Sequence, residues 1–257
     1  MADLQETYRV EQEKWDAQAL LELDSLGILS DRDFHQYASH ASTMRGMAEF
    51  LGDLNGKKVL EIGCGLGQIS VLLARSGAEV TAFDISRMSV VAARKRADVN
   101  DVSSDQLHLL VAAGEELPFA EESFDVIFGK GVLHHLEATL GAPELFRVLR
   151  PGGKAAFSEP MGMNPLLSFA REYLPYPDKN PRGADRPLTY REIREWARRF
   201  SRVRIEEVQL LSMIERGLGF NRPVPILRRA DDFLLKHVPF LRRYCRYVTL
   251  QMEKVRA

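Results

Sequence analysis

Lys58-Val59-Leu60-Glu61-Ile62-Gly63-Cys64-Gly65-Leu66-Gly67-Gln68-Ile69-Ser70 is the stretch on which the reading of this chain turns. Val59, Leu60 and Ile62 form an apolar run of strand length. Glycines then follow at every second position, and Ile69, Val71, Leu72, Leu73 and Ala74 continue as an apolar helix. A glycine-rich turn between a buried strand and a helix lets backbone approach a ligand without Cβ collisions, and it points free amides at that ligand. A second strand, Glu79 to Phe83, ends in Asp84, 23 positions beyond Glu61. In a βαβ unit this places a carboxylate at the carboxyl end of the neighbouring strand, within reach of both hydroxyls of a ribose. The predicted unit binds a nucleoside.

The third glycine decides which one. The dinucleotide fingerprint is Gly-x-Gly-x-x-Gly. Counted from Gly63 and Gly65, its last glycine would fall on Gln68, whereas this chain has Gly67. With Glu61 ahead of it, Val59 to Gly67 closely resembles the first motif of the class I S-adenosylmethionine-dependent methyltransferases. Ala112-Ala113-Gly114-Glu115-Glu116-Leu117-Pro118-Phe119 resembles the adenine-side loop of that superfamily, which often reads Asp-Ala-Glu-x-Leu-Pro-Phe. Ala113 stands where the Asp that takes the adenine amino group commonly sits, which leaves backbone around Gly114 and Glu115, or Glu115 itself, to read adenine. Leu149-Arg150-Pro151-Gly152-Gly153 before a fifth strand is another mark of the family.

The resemblance covers residues 56 to 160 and implies the following expectations. The fold is α/β, a Rossmann-like, mostly parallel seven-stranded sheet with helices on both faces, an antiparallel last strand between the fifth and sixth, and a helical cap. The cofactor is S-adenosylmethionine. Its binding residues are Glu61, Gly63, Cys64, Gly65, Gly67, Gln68, Asp84, Ile85, Gly114, Glu115 and, through backbone at the end of strand Phe124 to Phe128, Lys130. Residues 1–55 form an N-terminal helical flap, 56–160 the cofactor-binding core, and 161–257 substrate-facing insertions with the last strands. Tyr37 in the flap is a candidate to lay its ring near a sulfonium.

Composition bounds the rest. A chain of 257 residues, 45% hydrophobic and 28% charged, is expected to be one globular domain, or one domain with an elaborate cap, with a sizeable core. A net charge of −1 gives no field to steer it to nucleic acid, and none is expected as a partner. No apolar run approaches the ~20 residues that span a bilayer. The first residues carry no secretory signal, and Cys64 and Cys245 make no disulfide framework, so the expected location is cytoplasmic and reducing. His35 and His40 are five apart and share no helical face, so no metal is expected.

Along the chain, residues 8–27 suit one or two amphipathic helices, and Asp33 to Leu51 a further helical stretch. Helix Met88 to Val99, strands Leu107 to Val111 and Phe124 to Phe128, and a helix starting Val132-Leu133-His134-His135-Leu136 follow. The segment after Phe128 lacks the Asn-Pro-Pro-Tyr pattern of nucleobase amine methylases. Past Glu159 a Pro-rich loop, Pro175 to Pro187, reads as a lid, and Thr189 with Glu192 as a capping box. Val203 to Leu211 and Tyr247 to Met252 read as the sixth and seventh strands. Phe220 to Arg246 mixes apolar and basic residues. It reads as a helical cover with a solvated basic face, or as a surface for lipid, membrane or a phosphorylated acceptor.

Methyl transfer from a sulfonium is an in-line displacement helped mostly by holding the two groups at attack distance. A hydroxyl acceptor also needs a base, and His135, His134 and Glu159 are the candidates at the groove. The favoured acceptor is an oxygen of a small molecule: a sugar, a phenol or a lipid-linked compound. The rivals are N- or C-methylation of a small metabolite, a nicotinamide-dependent oxidoreductase, and a non-catalytic S-adenosylmethionine-binding regulator.

Overall fold

The computed structural model describes residues 2–44, 46–173, 186–217 and 224–255. The chain opens on a long helix, α1 (Ala2–Glu22), followed by a short 3-10 turn, α2 (Phe34–His40), a second 3-10 turn and α3 (Met47–Leu51). The stretch expected to be helical over Asp33 to Leu51 is therefore broken. Ala41 leaves the helical region at φ −78°, ψ +100°, and Gly46 turns left-handed at φ +72° to start α3.

Strands and helices then alternate: β1 (Lys58–Ile62), α4 (Gln68–Arg75), β2 (Glu79–Asp84), α5 (Arg87–Val99), β3 (Leu107–Val111), β4 (Phe124–Lys130), α6 (Ala138–Val148) and β5 (Leu149–Pro160). The last third adds α7 (Pro165–Tyr173), α8 (Tyr190–Ala197), β6 (Arg202–Val208), α9 (Ile214–Gly217), α10 (Pro225–His237), a 3-10 turn over Pro239–Tyr244, and β7 (Tyr247–Glu253). The sheet order is β3-β2-β1-β4-β5-β7-β6. β7 runs antiparallel to both neighbours, and the pairs from β3 through β5 are parallel. The expected seven-stranded Rossmann-like sheet with its reversed last strand is what forms.

A sheet covered on both faces needs apolar side chains on both sides of each central strand. β1 supplies them alternately. Val59 joins Phe34, Met44, Leu72 and Phe128 on one face, while Leu60 and Ile62 join Leu145, Phe157, Trp196 and Leu250 on the other. β4 does the same with Phe128 and Ile127. Trp196 is 1% exposed, and its ring lies where a Cβ on Gly141 would come within 2.6 Å, so α8 and α6 meet through a glycine. Thr189 and Glu192 form the reciprocal capping box at the start of α8.

The sequence expectations differ from the structure at two further places. The helix expected from Val132 is only a 3-10 turn, Leu133–His135, and α6 starts later, capped by Glu137. Gly131 at φ +65° and the carboxylate of Glu159, which takes the amides of Val132 and Leu133, hold that turn. The sixth strand stops at Val208, because Asp231 of α10 captures the amides of Leu210, Leu211 and Ser212 that would have continued it. Most of the Pro-rich loop expected as a lid, residues 174–185, lies outside the described residues. Among the described residues no helix is long and apolar enough to cross a membrane.

Candidate active site

The glycine turn between β1 and α4 is built from three left-handed residues, Gly63 (φ +68°), Gly65 (+48°) and Gly67 (+75°). Two of them are glycine for packing. A Cβ on Gly63 would lie 2.7 Å from Val132 Cγ2, and one on Gly67 2.7 Å from Ala93 Cα. Gly65 differs: a Cβ built there meets nothing within 4 Å, because it faces an open cleft. That cleft has a volume of about 200 Å³ and runs along the carboxyl ends of β1, β2 and β4. A small space beside a bare glycine backbone is the cradle that a nucleoside needs.

Asp84, at the end of β2, faces the same cleft. Its Oδ2 accepts from the Gly65 amide and its Oδ1 from the Ser86 amide, each at 2.9 Å. Burial raises its carboxyl above the ordinary range, and the two amides only partly offset that. The turn and the acid are thus one unit, with lone pairs left to accept from ribose hydroxyls. Phe83, Ile85, Ala112, Ala113 and Gly114 line the adjoining wall on the adenine side. Glu115 also lines it, yet both of its oxygens are engaged: Oε1 accepts from the Glu137 amide and Oε2 from the Tyr8 hydroxyl, each at 3.0 Å.

Four residues of α1 close the cleft from above, namely Thr7, Tyr8, Glu11 and Trp15. The Trp15 ring meets the His135 ring edge-on at 5.6 Å, and Glu11 lies 3.4 Å from His135 Nδ1. Burial would raise the Glu11 carboxyl, but His135, Lys14 and Trp15 together hold it down at about 2. Asp16 ties the same helix to the head of α5 through the Ser86 hydroxyl at 2.6 Å and the Met88 amide at 3.0 Å. Sequence reasoning passed over these residues, although positions 8, 11 and 15 share one helical stripe and so carried a signal. Tyr37 is placed elsewhere. It stands beside Lys130, 3.3 Å from Nζ to hydroxyl, and does not line the cleft, so its aromatic wall comes from Tyr8 and Trp15 instead.

The other expected cofactor residues divide by position. Gly63, Ile85 and Lys130 line the cleft, whereas Glu61, Cys64, Gly67 and Gln68 do not. Glu61 points to the opposite face of β1, where the Ser70 hydroxyl donates to it; burial pushes its carboxyl up to about 8. Cys64 is buried, which raises its thiol well above the usual value. His35 Nε2 donates to the Gly52 carbonyl and His40 Nε2 to the Asp31 carboxylate, so the two do not come together. No group of acidic, His and Cys side chains among the described residues could hold a metal.

The base candidates gather where β4 and β5 end, His134 and His135 in the turn after β4 and Glu159 as the second-last residue of β5. Glu159 is fully buried; Oε1 accepts from Val132 and Leu133, and Oε2 faces His134 Nδ1 at 2.7 Å. A carboxylate at that distance fixes the ring proton on Nδ1 and makes Nε2 the basic nitrogen. The rings of His134 and His135 stand 4.0 Å apart, and His135 lines the cofactor cleft. A second cavity, of about 870 Å³, lies between α2, α3, β6 and α10 and shares no lining residue with the first.

Comparison with known proteins agrees with this geometry. Residues 60–157 match the family described as "Methyltransferase domain". The ubiquinone biosynthesis O-methyltransferase of Alkalilimnicola ehrlichii is 30% identical over 193 residues, covering 72% of this chain and 73% of that one. The demethylmenaquinone methyltransferase of Clavibacter sepedonicus is 34% identical over 105 residues, 40% of this chain, and this chain spans only 41% of its length. Among solved structures the cyclase SpnF superposes with a TM-score of 0.63 at 18% identity, over 98% of this chain and 97% of that one, a likeness of fold alone. The matched core, the relative aligned over most of both chains and the glycine–aspartate cradle together mean that this chain belongs to the class I S-adenosylmethionine-dependent methyltransferases.

Proposed function

We propose that this chain transfers a methyl group from S-adenosylmethionine to a hydroxyl oxygen of a small molecule, a phenol or hydroquinone first among the candidates. The observation that carries the reading is the buried Glu159–His134 pair, which does not itself line the cleft but whose His134 ring stands 4.0 Å from that of the cleft-lining His135. An alkyl or phenolic hydroxyl must lose its proton as it is methylated, and a carboxylate-oriented imidazole is suited to take it. The name of one relative, the ubiquinone biosynthesis O-methyltransferase of Alkalilimnicola ehrlichii, points to the same class of acceptor.

The parts divide as follows. Gly63, Gly65 and Asp84 hold the cofactor at its ribose and amino-acid side, with Gly114 and the apolar wall around Phe83 beside the base. When bound, the cofactor supplies a methyl group on a sulfonium, an electrophile that requires no metal. Tyr8 and Trp15 of α1 cover the site and exclude water. His134 Nε2 receives the acceptor proton, and Glu159 stabilises the imidazolium that results. Two carboxylate-to-amide bonds hold the Glu159 side chain in place, so the base is aligned before the acceptor arrives.

A nucleic-acid acceptor is not part of this reading, because the net charge of −1 provides no attraction to a phosphate backbone. The direct test is incubation with S-adenosylmethionine and a panel of phenols, catechols, sugars and amines, scored by release of S-adenosylhomocysteine. Turnover confined to hydroxyl acceptors is the expected result. Turnover confined to amines would sink the oxygen reading, and cofactor binding with no turnover on any acceptor would favour a regulator.

A further inference from the structure

We infer that α7, α10 and the 3-10 turn after α10 form a face that docks on an anionic lipid bilayer. α10 is fixed in rotation by Asp231, which is 5% exposed and receives the amides of Leu210, Leu211 and Ser212 and the Ser212 hydroxyl. With Asp231 inward, the opposite side of the helix must face out. That side carries Ile226 and Phe233, one heptad apart and 73% and 62% exposed, and the following turn adds Phe240 at 66%. The Phe233 ring stacks on His237 at 4.3 Å, so the stripe is continuous rather than scattered.

α7 repeats the pattern. Leu166, Phe169 and Tyr173 follow helical spacing at 78%, 56% and 58% exposure, and none of its residues is buried. The start of α7 is tied to the end of the turn after α10, since Asn164 Nδ2 donates to the Tyr244 carbonyl at 2.7 Å and the Met161 amide to the Arg246 carbonyl at 2.9 Å. Both anchors lie at the carboxyl end of β5, immediately after Glu159. Single exposed apolar residues are ordinary, but two amphipathic helices with apolar stripes outward, tied together through the turn after α10, are not.

Charge chooses the occupant. Between Pro225 and Tyr244 the exposed ionised side chains are Arg229, Lys236, Arg242 and Arg243 against Asp232, on a chain whose net charge is −1. Aromatic and aliphatic residues interleaved with cations suit the boundary between acyl chains and anionic headgroups. A second copy of this chain would have to bring the same cations onto themselves across a two-fold contact, which disfavours self-association. The inference stands apart from the acceptor reading, since it concerns a different surface and is read without turnover.

The test is co-sedimentation of the full chain with vesicles of phosphatidylcholine alone or with one third phosphatidylglycerol. Binding is expected to the anionic vesicles only, and to weaken as salt is raised. The double variant Phe233→Ser with Phe240→Ser should weaken partitioning at least about tenfold, and Arg229→Gln with Arg243→Gln by about twenty-fivefold, near fivefold for each cation removed. Affinity for S-adenosylhomocysteine should be unchanged in all of them, which also reports that they fold. Failure of the wild-type chain to sediment with anionic vesicles overturns the inference. So does unaltered partitioning of the folded variants, or a dimer in sedimentation velocity that Phe233→Ser dissociates.

Discussion

Asp84→Asn separates cofactor recognition from folding more cleanly than any other single change. The wild-type carboxylate gives one oxygen to the Gly65 amide and the other to the Ser86 amide, each at 2.9 Å. Asparagine keeps one oxygen and replaces the other with an NH₂ group, so one of the two amides loses its acceptor. That costs about 1–3 kcal/mol of fold stability, which a domain of this size tolerates. The same exchange removes the charge from the group facing the ribose. A hydrogen bond to a charged acceptor contributes about 1.5–3 kcal/mol, so the Kd for S-adenosylhomocysteine should rise about ten- to a hundredfold. Titration calorimetry measures this directly, with thermal melts as the control for folding. The pH dependence adds a second mark. Burial raises the Asp84 carboxyl, so as pH falls through its raised pKa the wild-type site protonates, comes to resemble asparagine, and loses affinity. The variant should lack that acid limb. A folded Asp84→Asn protein that binds within twofold of wild type, with the same pH profile, would refute the reasoning.

Three further outcomes follow from the geometry. Glu159→Gln presents an amide to His134 Nδ1 and disturbs the tautomer, so methylation of a hydroxyl acceptor should fall about 10²–10⁴-fold with cofactor affinity unchanged; nitrogen NMR of His134 would register the shifted proton. Glu61, pushed up to about 8 in the fold from an ordinary 4.5, stays protonated while the unfolded chain ionises, so wild-type stability is lost as pH rises from 4.5 to 8. At 1.36 kcal/mol per unit the loss reaches roughly 4–5 kcal/mol at most, and urea unfolding at several pH values should find it missing in Glu61→Gln. Gly67→Ala places a Cβ 2.7 Å from backbone Ala93 Cα at φ +75°. Strain and overpacking together should destabilise that variant by about 2–5 kcal/mol in thermal or urea melts.

The core of the fold was legible because its signals are local. The Val59–Ile62 run, the Gly63–Gly67 turn, Asp84 and the Thr189–Glu192 box are each decided by neighbours a few residues away, and each forms where it was expected. What stayed hidden depends on distant partners. Val132 to Leu136 looks helical in isolation, but the backbone turns extended at Leu136 (ψ +151°) after one 3-10 turn, whose first amides are held by Glu159, more than twenty positions later. The sixth strand is cut short by Asp231, again from far along the chain. The cleft's roof is the largest omission. Tyr8, Glu11 and Trp15 share a stripe, but only folding places that stripe against His135 and Glu115. In the site, sequence reasoning brought Gly65, Asp84 and the separate base candidates His135, His134 and Glu159 to one sheet edge, and only the structure pairs His134 with Glu159. It could not tell that Glu61 faces Ser70 on the other side of the strand, because the alternation of a doubly buried strand has no polar face to betray its register.

Calorimetric titration of the wild-type chain with S-adenosylhomocysteine, and separately with a pyridine dinucleotide, tests the central claim most directly. Saturable one-to-one binding of the former and no heat from the latter is the predicted result. Uptake of the dinucleotide by a chain that ignores both S-adenosylmethionine and S-adenosylhomocysteine would contradict it.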